Sequence, residues 1–317
     1  MAAEATIVID IGGSKIASAL IYSNGKVEGY RIQNTDERGG EYVVDQVIEA
    51  VQYYSDLHEV NLIGLGISIP GIVRRGGLVW APNIRGWRNI NIASIIKRRL
   101  SVSKLVMIDD RVANIMGEYW QGAAKGASNA VSLMIGTGVA AGLLVNGKPL
   151  MGSSGVAGAV GWWLLSRRVP KHRSLRGFLE DEISGPAIFR KAYKYCVRIR
   201  DESCLNLIKN CNPPNTYCIF QALDQGVASI KPILEEVAAI VGITIANLIS
   251  LVNPEVVILS GGVGVEIGRR FMDTILKSIK VAQPYSLKKS RITVSQLGYL
   301  SNLYGLAYCI VNNDACK

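Results

Sequence analysis

Two copies of one pattern, a buried strand followed by a glycine-rich turn and a second strand, constrain the fold of this chain most strongly. The first copy reads ATIVIDI, GGS and KIASALIY near residue 10, and the second reads NAVSLMI, GTG and VAAGLLV near residue 136. Glycine permits the tight turn, and each apolar run suits a buried strand. Helices and further strands follow each copy, which predicts α/β layers. The repetition predicts a duplicated domain with a cleft between the copies.

The other elements alternate in the same manner along the chain. Strands are predicted at KVEGYRIQ, LIGLGISI, KLVMI, EVVILS and RITVSQL, and Asn146-Gly147 is a strong hairpin signal. Apolar residues at helical spacing predict helices near 41–56, 92–100, 111–120, 228–251, 265–279 and 302–311. The polar, cysteine-rich residues 198–228, which include Pro213-Pro214, are interpreted as a loop or an insertion.

Length and composition narrow the class of protein. With 317 residues, 49% of them hydrophobic, the chain can bury a sizeable core of about two domains. The sequence predicts neither a membrane-spanning run of about 18 apolar residues nor a signal peptide, so we expect a cytoplasmic protein without a membrane partner. The net charge of +10 is compatible with nucleic-acid binding. However, no zinc finger or aromatic RNA-binding signature accompanies it, so we favour a basic surface and expect no nucleic-acid partner.

The cysteines favour no metal site. None of the six forms a CxxC pair, so the sequence predicts no zinc site. They are free thiols in an ordinary cytosol, or disulfides in a hyperthermophile, and the sequence leaves both open. The six are Cys196, Cys204, Cys211, Cys218, Cys309 and Cys316.

The two glycine turns have the chemistry of a phosphate site. A phosphate needs backbone N–H donors that approach closely without a Cβ atom between them, which glycine allows. Gly12, Gly13 and Ser14 are the candidates in the first turn, and Gly136–Gly138 are those in the second. Asp10, at a strand end, is placed to hold Mg²⁺ through water. Neither turn matches a P-loop or a Rossmann fingerprint, and a glycine hairpin also has purely structural uses.

A series of motifs in order identifies a resemblance to a known family. The series is DIGGSK, GISIPG at 66–71, APNIRGW at 81–87, Asp109-Asp110, IGTGVAAG, RGFLEDEISGPAI at 176–188 and NPEVVILSGG at 253–262. Together they resemble the ROK family of sugar kinases, repressors and related proteins, over about residues 5–310. The resemblance implies the α/β, duplicated actin-like/hexokinase (ribonuclease H-like), two-lobed ATPase fold. Residues 1–108 with about 300–317 would form the small lobe, and residues 109–299 the large lobe.

The resemblance also implies roles for individual residues. The first loop would contact the phosphates, with Asp10 assisting the metal, and the GG pair after the NPE strand would lie near the adenosine. Asp110 would be the catalytic base, and Asp109, which takes the place of a sugar-binding asparagine, is a candidate for sharing that role. The residues implied in nucleotide binding are Asp10, Gly12, Gly13, Ser14, Lys15, Gly136, Thr137, Gly138, Gly261 and Gly262. Those implied in acceptor binding are Asn83, Asp109, Asp110 and Glu180.

A carboxylate at this position suits phosphoryl transfer. It would orient the sugar hydroxyl and accept its proton as the phosphoryl group moves. The alternative is that Asp109 or Asp110 merely caps the following helix.

The acceptor side departs from the family pattern. In the segment 157–162, the Glu and His of the family's AGExGH motif are replaced by Ala159 and Trp162. The family's cysteine zinc motif has no counterpart near residues 171–178. We therefore expect no zinc, and surface positions for His58 and His172. Trp162 and Trp163 would either offer an aromatic face to the acceptor or fill the space of the missing zinc loop.

Three functions follow as hypotheses. The first is a Mg²⁺- and ATP-dependent kinase that acts on a hydroxyl of a sugar, a sugar-like molecule or a non-hexose acceptor, in the manner of a glucokinase or hexokinase. The second is a non-catalytic nucleotide or sugar sensor, which the missing Glu and His favour. The third, a transcriptional repressor, needs an added DNA-binding domain for which the expected first strand at Ala5 leaves no room. The resemblance further implies a homodimer.

Overall fold

The structure is a computed structural model of the chain. It describes residues 3–57, 60–74, 76–166, 177–211, 215–283, 290–312 and 316.

Strands and helices alternate through the described ranges. The strands are β1 (Glu4–Ile11), β2 (Lys15–Tyr22), β3 (Val27–Asn34), β4 (Asn61–Ile69), β5 (Ile72–Val73), β6 (Leu78–Trp80), β7 (Arg88–Asn91), β8 (Leu105–Asp109), β9 (Ala130–Ile135), β10 (Val139–Val145), β11 (Lys148–Pro149), β12 (Val256–Ser260) and β13 (Arg291–Val294). The α-helices are α1 (Gly40–Leu57), α2 (Ile92–Arg99), α3 (Asp110–Gln121), α4 (Glu180–Ile183), α5 (Gly185–Ile199), α6 (Glu202–Lys209), α7 (Thr216–Asp224), α8 (Lys231–Val252), α9 (Gly261–Ala282) and α10 (Leu300–Val311).

The first sheet has the strand order β3-β2-β1-β4-β8. Strand β1 pairs antiparallel with β2 across the first glycine turn and parallel with β4, which pairs parallel with β8. Both faces of β1 are covered: Ile7 and Ile9 join the core that includes α1, and Gly66 of β4, the register partner of Val8, lies against Leu306 of α10. Burial on both faces explains why ATIVIDI is a continuous apolar run.

The second sheet repeats this plan, with the order β11-β10-β9-β12-β13. Strand β9 pairs parallel with β12, and β12 pairs parallel with β13. Strands β10 and β11 form the predicted hairpin at Asn146-Gly147, whose φ angles of 51° and 72° are both positive, as a type I′ turn requires. A strand that precedes a glycine turn is therefore flanked by its hairpin partner and by a later parallel strand in both sheets. A third, small sheet contains β5, β6 and β7 in antiparallel order.

The chain forms two compact units. Unit 1 comprises residues 1–128, 142–157 and 296–317, and unit 2 comprises residues 129–141 and 158–295. Helix α3 and the residues of the β10–β11 hairpin from Gly142 onward thus belong to unit 1. The assignment of a small and a large lobe with a boundary at residue 109 stays a prediction.

Helices α3 and α10 of unit 1 pack with their backbones in close contact. A Cβ atom added to Gly117 of α3 would lie 1.8 Å from the carbonyl oxygen of Ser301, and one added to Gly305 of α10 would lie 1.8 Å from that of Ala113. Only glycine allows this approach. The buried Glu118 accepts hydrogen bonds from the Ser301 hydroxyl and from a backbone N–H, both at 3.0 Å. These contacts hold α10 directly against α3.

The interpretation of residues 198–228 as a loop is wrong, and the alternative, an insertion, stays a prediction. They contain the end of α5 and the helices α6 and α7, and Pro213-Pro214 lies outside the described residues. The polar residues that suggested a loop include two helix caps, because the side chains of Asp201 and Asn215 accept bonds from the first backbone N–H groups of α6 and α7. The inward side of α6 is apolar, with Cys204 and Ile208 buried.

All six cysteines are paired. The disulfides are Cys196–Cys204, Cys211–Cys218 and Cys309–Cys316. The first joins α5 to α6, and the second joins residues that flank the segment 212–214. Of the two alternatives that the sequence left open, free thiols or disulfides, the structure contains the disulfides.

One stretch of the described chain, residues 228–252, is long and apolar enough to cross a membrane. Of its most apolar window, 56% is buried inside unit 2, where α8 packs along α9. A buried core helix passes the same test of length and composition, so this stretch is weak evidence for a membrane span.

Candidate active site

The candidate carboxylates of unit 1 meet at one edge of the first sheet. Strands β1, β4 and β8 are neighbours and run parallel, so their carboxyl ends lie together. Asp10 is in register with Ser68, and Asp109 is in register with Ile69. This edge is where open α/β sheets bind their ligands.

Asp10 lies in a polar network built from three elements. The Ser68 hydroxyl donates a short hydrogen bond to Asp10 Oδ1, and the Asn302 side chain of α10 makes a second bond to the carboxylate. Asn302 in turn accepts a bond from Asn114 Nδ2 of α3 at 3.0 Å, which orients its amide. Burial raises the pKa of Asp10 above its ordinary value, although both hydrogen bonds lower it.

Asp109 is the N-cap of α3. Its Oδ1 atom accepts bonds from the backbone N–H groups of Arg111 at 3.1 Å and Val112 at 3.2 Å. The same oxygen accepts a bond at 3.0 Å from Nε of Arg111, and both side chains of this ion pair are buried. The capping alternative is thus confirmed for Asp109, while its predicted contact with the acceptor stays a prediction.

Asp110, the first residue of α3, remains partly exposed. Burial raises the pKa of Asp110 to about 7. The negative charge of Asp109 contributes to this increase and Asp10 adds a smaller part, while Arg111 lowers the pKa, so that about 7 is the net value. A carboxylate with a pKa near 7 exchanges protons readily at neutral pH, which is the property of a general base.

The first glycine loop lies against Asn83 in unit 1. A Cβ atom on Gly13 would be 3.3 Å from both the Cβ and the carbonyl oxygen of Asn83, so the loop backbone and the exposed Asn83 are neighbours. Gly12 N donates to the carbonyl oxygen of Lys15 at 2.8 Å, and the hydroxyl of Thr35 donates to Gly12 O at 2.7 Å. Gly13, Ser14 and Lys15 are exposed at the tip of this turn.

The second glycine loop, in unit 2, is held by Glu180. Glu180 Oε2 accepts a bond from Val139 N at 3.0 Å, and a Cβ atom on Gly138 would lie 2.9 Å from the same oxygen. Gly136 N donates to Gly138 O at 2.9 Å and closes the turn, and Thr137 is exposed at its tip. The predicted acceptor carboxylate therefore has a contact in the loop itself.

Gly261 and Gly262 adjoin this second loop. A Cβ atom on Gly261, whose φ is +72°, would lie 2.5 Å from the carbonyl oxygen of Ile135, directly before the loop. Nothing lies within 4 Å of a Cβ atom added to Gly262 or to Gly136. The predicted start of the last long helix near residue 265 is corrected, because α9 begins at Gly261. Its first N–H groups thus lie beside the loop, where the helix dipole favours anions.

The acceptor-side substitutions and the metal prediction are only partly described. Trp162 leaves 46% of its surface exposed, so its ring does not fill buried space. His58 and His172, together with residues 171–176 of the expected zinc region, lie outside the described residues. Within the described ranges, no group of three or more His, Cys, Asp and Glu side chains is arranged to hold a metal ion.

Sequence reasoning missed four polar residues of these sites, namely Ser68, Thr35, Arg111 and Asn302. Ser68 and Arg111 had a signal, because each lies inside or beside a motif of the series. Asn302 and Thr35 had none, since their partners are distant in sequence.

Comparison with known proteins places the chain in a family. The fold and site define an α/β protein of the duplicated actin-like class, with a carboxylate cluster in unit 1 and paired glycine segments in unit 2. The family model described as ROK family matches residues 6–312. The chain belongs to the ROK family.

Individual relatives agree with this assignment. A glucokinase of Halalkalibacterium halodurans is 29% identical over 86% of this chain and 83% of its own. The structure of a ROK family glucokinase from Streptomyces griseus, solved with glucose and AMPPNP, is 27% identical and superposes with a TM-score of 0.82 over 96% of this chain and 98% of that one. A xylose repressor of Caldicellulosiruptor bescii is 32% identical over 75% of this chain and 59% of its own. The predicted fold class is confirmed.

Proposed function

We propose that this protein is an ATP-dependent kinase that transfers the γ-phosphoryl group to a hydroxyl of a sugar or sugar-like molecule. The observation that carries the proposal is Asp110, a partly exposed carboxylate at a strand end whose pKa is raised to about 7. The glucokinases similar to this chain, one of them solved with glucose and AMPPNP, support it.

The residues of unit 2 fit a nucleotide. Gly136 and Gly262 have open space where a side chain would otherwise project, and both lie next to backbone N–H groups of a turn or a helix start. Oxygen atoms of a nucleotide can therefore approach the backbone closely. We assign Gly136–Gly138 to the phosphates and Gly261-Gly262 to the adenosine side of the nucleotide. In unit 1, we assign Gly12, Gly13, Ser14 and Lys15 to the phosphates.

The network around Asp10 fits a hard cation. Asp10, Ser68 and Asn302 supply oxygen atoms, which Mg²⁺ prefers, and a nearby cation would offset the cost of the buried carboxylate charge. Magnesium, when bound, would neutralise charge on the phosphates. In this scheme Asp10 would hold the metal through a water molecule.

The chemical step follows from the position of Asp110. Its carboxylate accepts the proton of the acceptor hydroxyl while the oxygen forms its bond to the γ-phosphorus. The bond between that phosphorus and the bridging oxygen breaks, and ADP leaves with the electron pair. The α3 helix holds Asp110 by its first turn, so that the carboxylate is oriented before the acceptor arrives. Asn83, Asp109 and Glu180 are our candidates for contacts to the acceptor.

A second candidate function is a non-catalytic sensor of nucleotide or sugar. Ala159 and Trp162 stand where the family resemblance implies sugar-binding Glu and His, and one relative is a repressor. A site that lacks two polar partners loses recognition of a polar acceptor. For either function, we also propose a cytoplasmic location and a homodimer.

An acceptor panel separates the two functions. The protein is incubated with ATP, Mg²⁺ and a series of hexoses, amino sugars, polyols and nucleosides, and ADP release is measured with product detection by phosphorus NMR. A kinase phosphorylates at least one acceptor class. If ATP binds but no acceptor is phosphorylated, the kinase proposal is wrong and the sensor is favoured.

A further inference from the structure

Arg111, which the proposed mechanism does not use, has an unusual set of contacts for a residue next to a candidate base. Its side chain is only 8% exposed. Its guanidinium donates to three backbone carbonyls in addition to Asp109: Ala157 at 3.0 Å through Nη1, and Gly71 at 3.1 Å and Gly155 at 2.7 Å through Nη2. These bonds use the planar fork of the guanidinium to hold Asp109 and the three carbonyls in fixed positions around it.

The three carbonyls belong to two separate segments of unit 1. Gly71 follows β4 at the edge of the first sheet where Asp10 and Asp109 lie, and its φ of +135° is a backbone conformation that other residues rarely adopt. Gly155 and Ala157 lie after β11, and a Cβ atom on Gly155 would be 3.3 Å from Ile72. Arg111 therefore joins the segment 151–157 to the end of β4 and to the first turn of α3.

The segment 151–157 leads directly into the part of the chain that bears the acceptor-side substitutions Ala159 and Trp162. At its other end, Arg111 shares Asp109 Oδ1 with the backbone N–H groups that begin α3. One planar guanidinium thus sets both the helix start that carries Asp110 and the loop that precedes the acceptor-side residues. A lysine, with a single ammonium on a flexible stem, cannot reproduce this fork.

We propose that Arg111 is a positioning residue that, together with Asp109, fixes Asp110 relative to the segment 151–157. This inference depends on the proposed kinase function for its kinetic consequence but not for its structural one. The alternative is that Arg111 only neutralises the buried charge of Asp109.

Two variants and two matched controls test the proposal. Arg111→Lys keeps the charge and removes the fork. The double variant Asp109→Asn/Arg111→Ala removes both charges, so that no buried ion is left alone, while the three carbonyls still lose their donor. The exposed pair Arg99–Asp45, with N–O distance 2.6 Å, supplies the controls Arg99→Lys and Asp45→Asn/Arg99→Ala.

Hydrogen exchange followed by mass spectrometry is measured on the folded variants without any acceptor. The expected result is faster exchange in peptides that cover residues 151–158 in both Arg111 variants and unchanged exchange there in both controls. Unchanged protection of those peptides in both Arg111 variants would overturn the proposal. This readout is independent of whether the protein is a kinase.

Steady-state kinetics on an acceptor found in the panel provide the second readout. We expect both Arg111 variants to lose about 100-fold in kcat, because small displacements of a base have effects of this size, with KM for ATP nearly unchanged. Wild-type kinetics in the double variant would mean that the pair only cancels its own charge, and would overturn the proposal while leaving the kinase function intact. If the wild-type protein transfers no phosphoryl group, the kinase function fails and the exchange experiment alone decides the role of Arg111.

Discussion

The candidate sites of the two units are built from different chemical groups. In unit 1, apart from the first glycine loop, the site consists of side chains: Asp10, Asp109 and Asp110 at strand ends, oriented by Ser68, Asn302 and Arg111. In unit 2 it consists of backbone: the turn Gly136–Gly138 and the helix start at Gly261, which adjoin through Ile135. The side-chain site supplies charge and proton transfer, while the backbone site supplies close approach.

This difference determines how each site fails. A side-chain site loses function when a single charge or hydrogen-bond partner is removed, and the fold around it can persist. A backbone site tolerates many changes nearby but is blocked by a single added methyl group.

The largest effect short of removing the base is expected for Asp10→Asn in unit 1. The carboxylate charge that favours Mg²⁺ is lost, so kcat should fall by about 100-fold or more, and the Mg²⁺ concentration needed for half-maximal rate should rise. Asp45→Asn, an exposed carboxylate in the same unit, is the control. An unchanged Mg²⁺ dependence would remove Asp10 from the metal site.

In unit 2 the glycine segments are tested by adding a methyl group, and not by removing a charge. Gly136→Ala adds a Cβ atom with nothing within 4 Å, so the fold should be retained. If the empty space serves the phosphates, affinity for ATP should fall about tenfold, as measured by calorimetry. Gly262→Ala, equally open, should lower ATP affinity and also stabilise α9 by up to about 1 kcal/mol. Unchanged ATP affinity in both variants would contradict the assignment of the glycine segments.

The raised pKa of Asp110 should make the stability of the protein depend on pH. The carboxyl has an ordinary pKa of 3.8 and a folded-state pKa of about 7, so the folded state holds the proton longer than the unfolded state. The corresponding stability is present below pH 3.8 and is lost as pH rises to about 7. Thermal unfolding should therefore show that the stability of Asp110→Asn relative to the wild type rises between pH 3.8 and about 7 and stays constant at higher pH. A difference that does not change with pH would contradict the raised pKa.

The smallest effect on phosphoryl transfer is expected for the disulfides, because none of their cysteines is among the candidate site residues. Cys196→Ser/Cys204→Ser opens a loop with a sequence separation of 8 in unit 2, and should cost about 2 kcal/mol of unfolding free energy. Cys309→Ser/Cys316→Ser, with a separation of 7, is the matched variant in unit 1. Denaturant unfolding with and without reductant measures both. Identical unfolding of the wild type in the two conditions would contradict the pairing.

The sequence predicted most of the fold because its strands are apolar runs with glycine turns between them. β1, β2, β9 and β10, along with the long helices, follow directly from that local pattern. The helices α6 and α7 escaped it, since their caps, Asp201 and Asn215, resemble loop residues when their backbone partners are unknown.

The candidate site was predictable as far as its motifs extend. The carboxylates and glycines stand in continuous motifs, so their positions were found by pattern and resemblance. Asn302 contacts Asp10 from the other end of the chain, and Arg111 binds carbonyls about 40 residues away on both sides. Such contacts depend on which elements the fold brings together, and no local pattern encodes them.

The substitution Asp110→Asn tests the central claim most directly. Phosphoryl transfer from ATP to an accepted sugar is measured in the wild type and in the variant, together with the ATP affinity of each. Because the amide cannot accept the hydroxyl proton, we predict that transfer falls by about 1,000-fold while ATP affinity stays within about twofold of the wild type. Transfer at the wild-type rate would show that Asp110 is not the base, and a large loss of ATP affinity would place it in the nucleotide site instead.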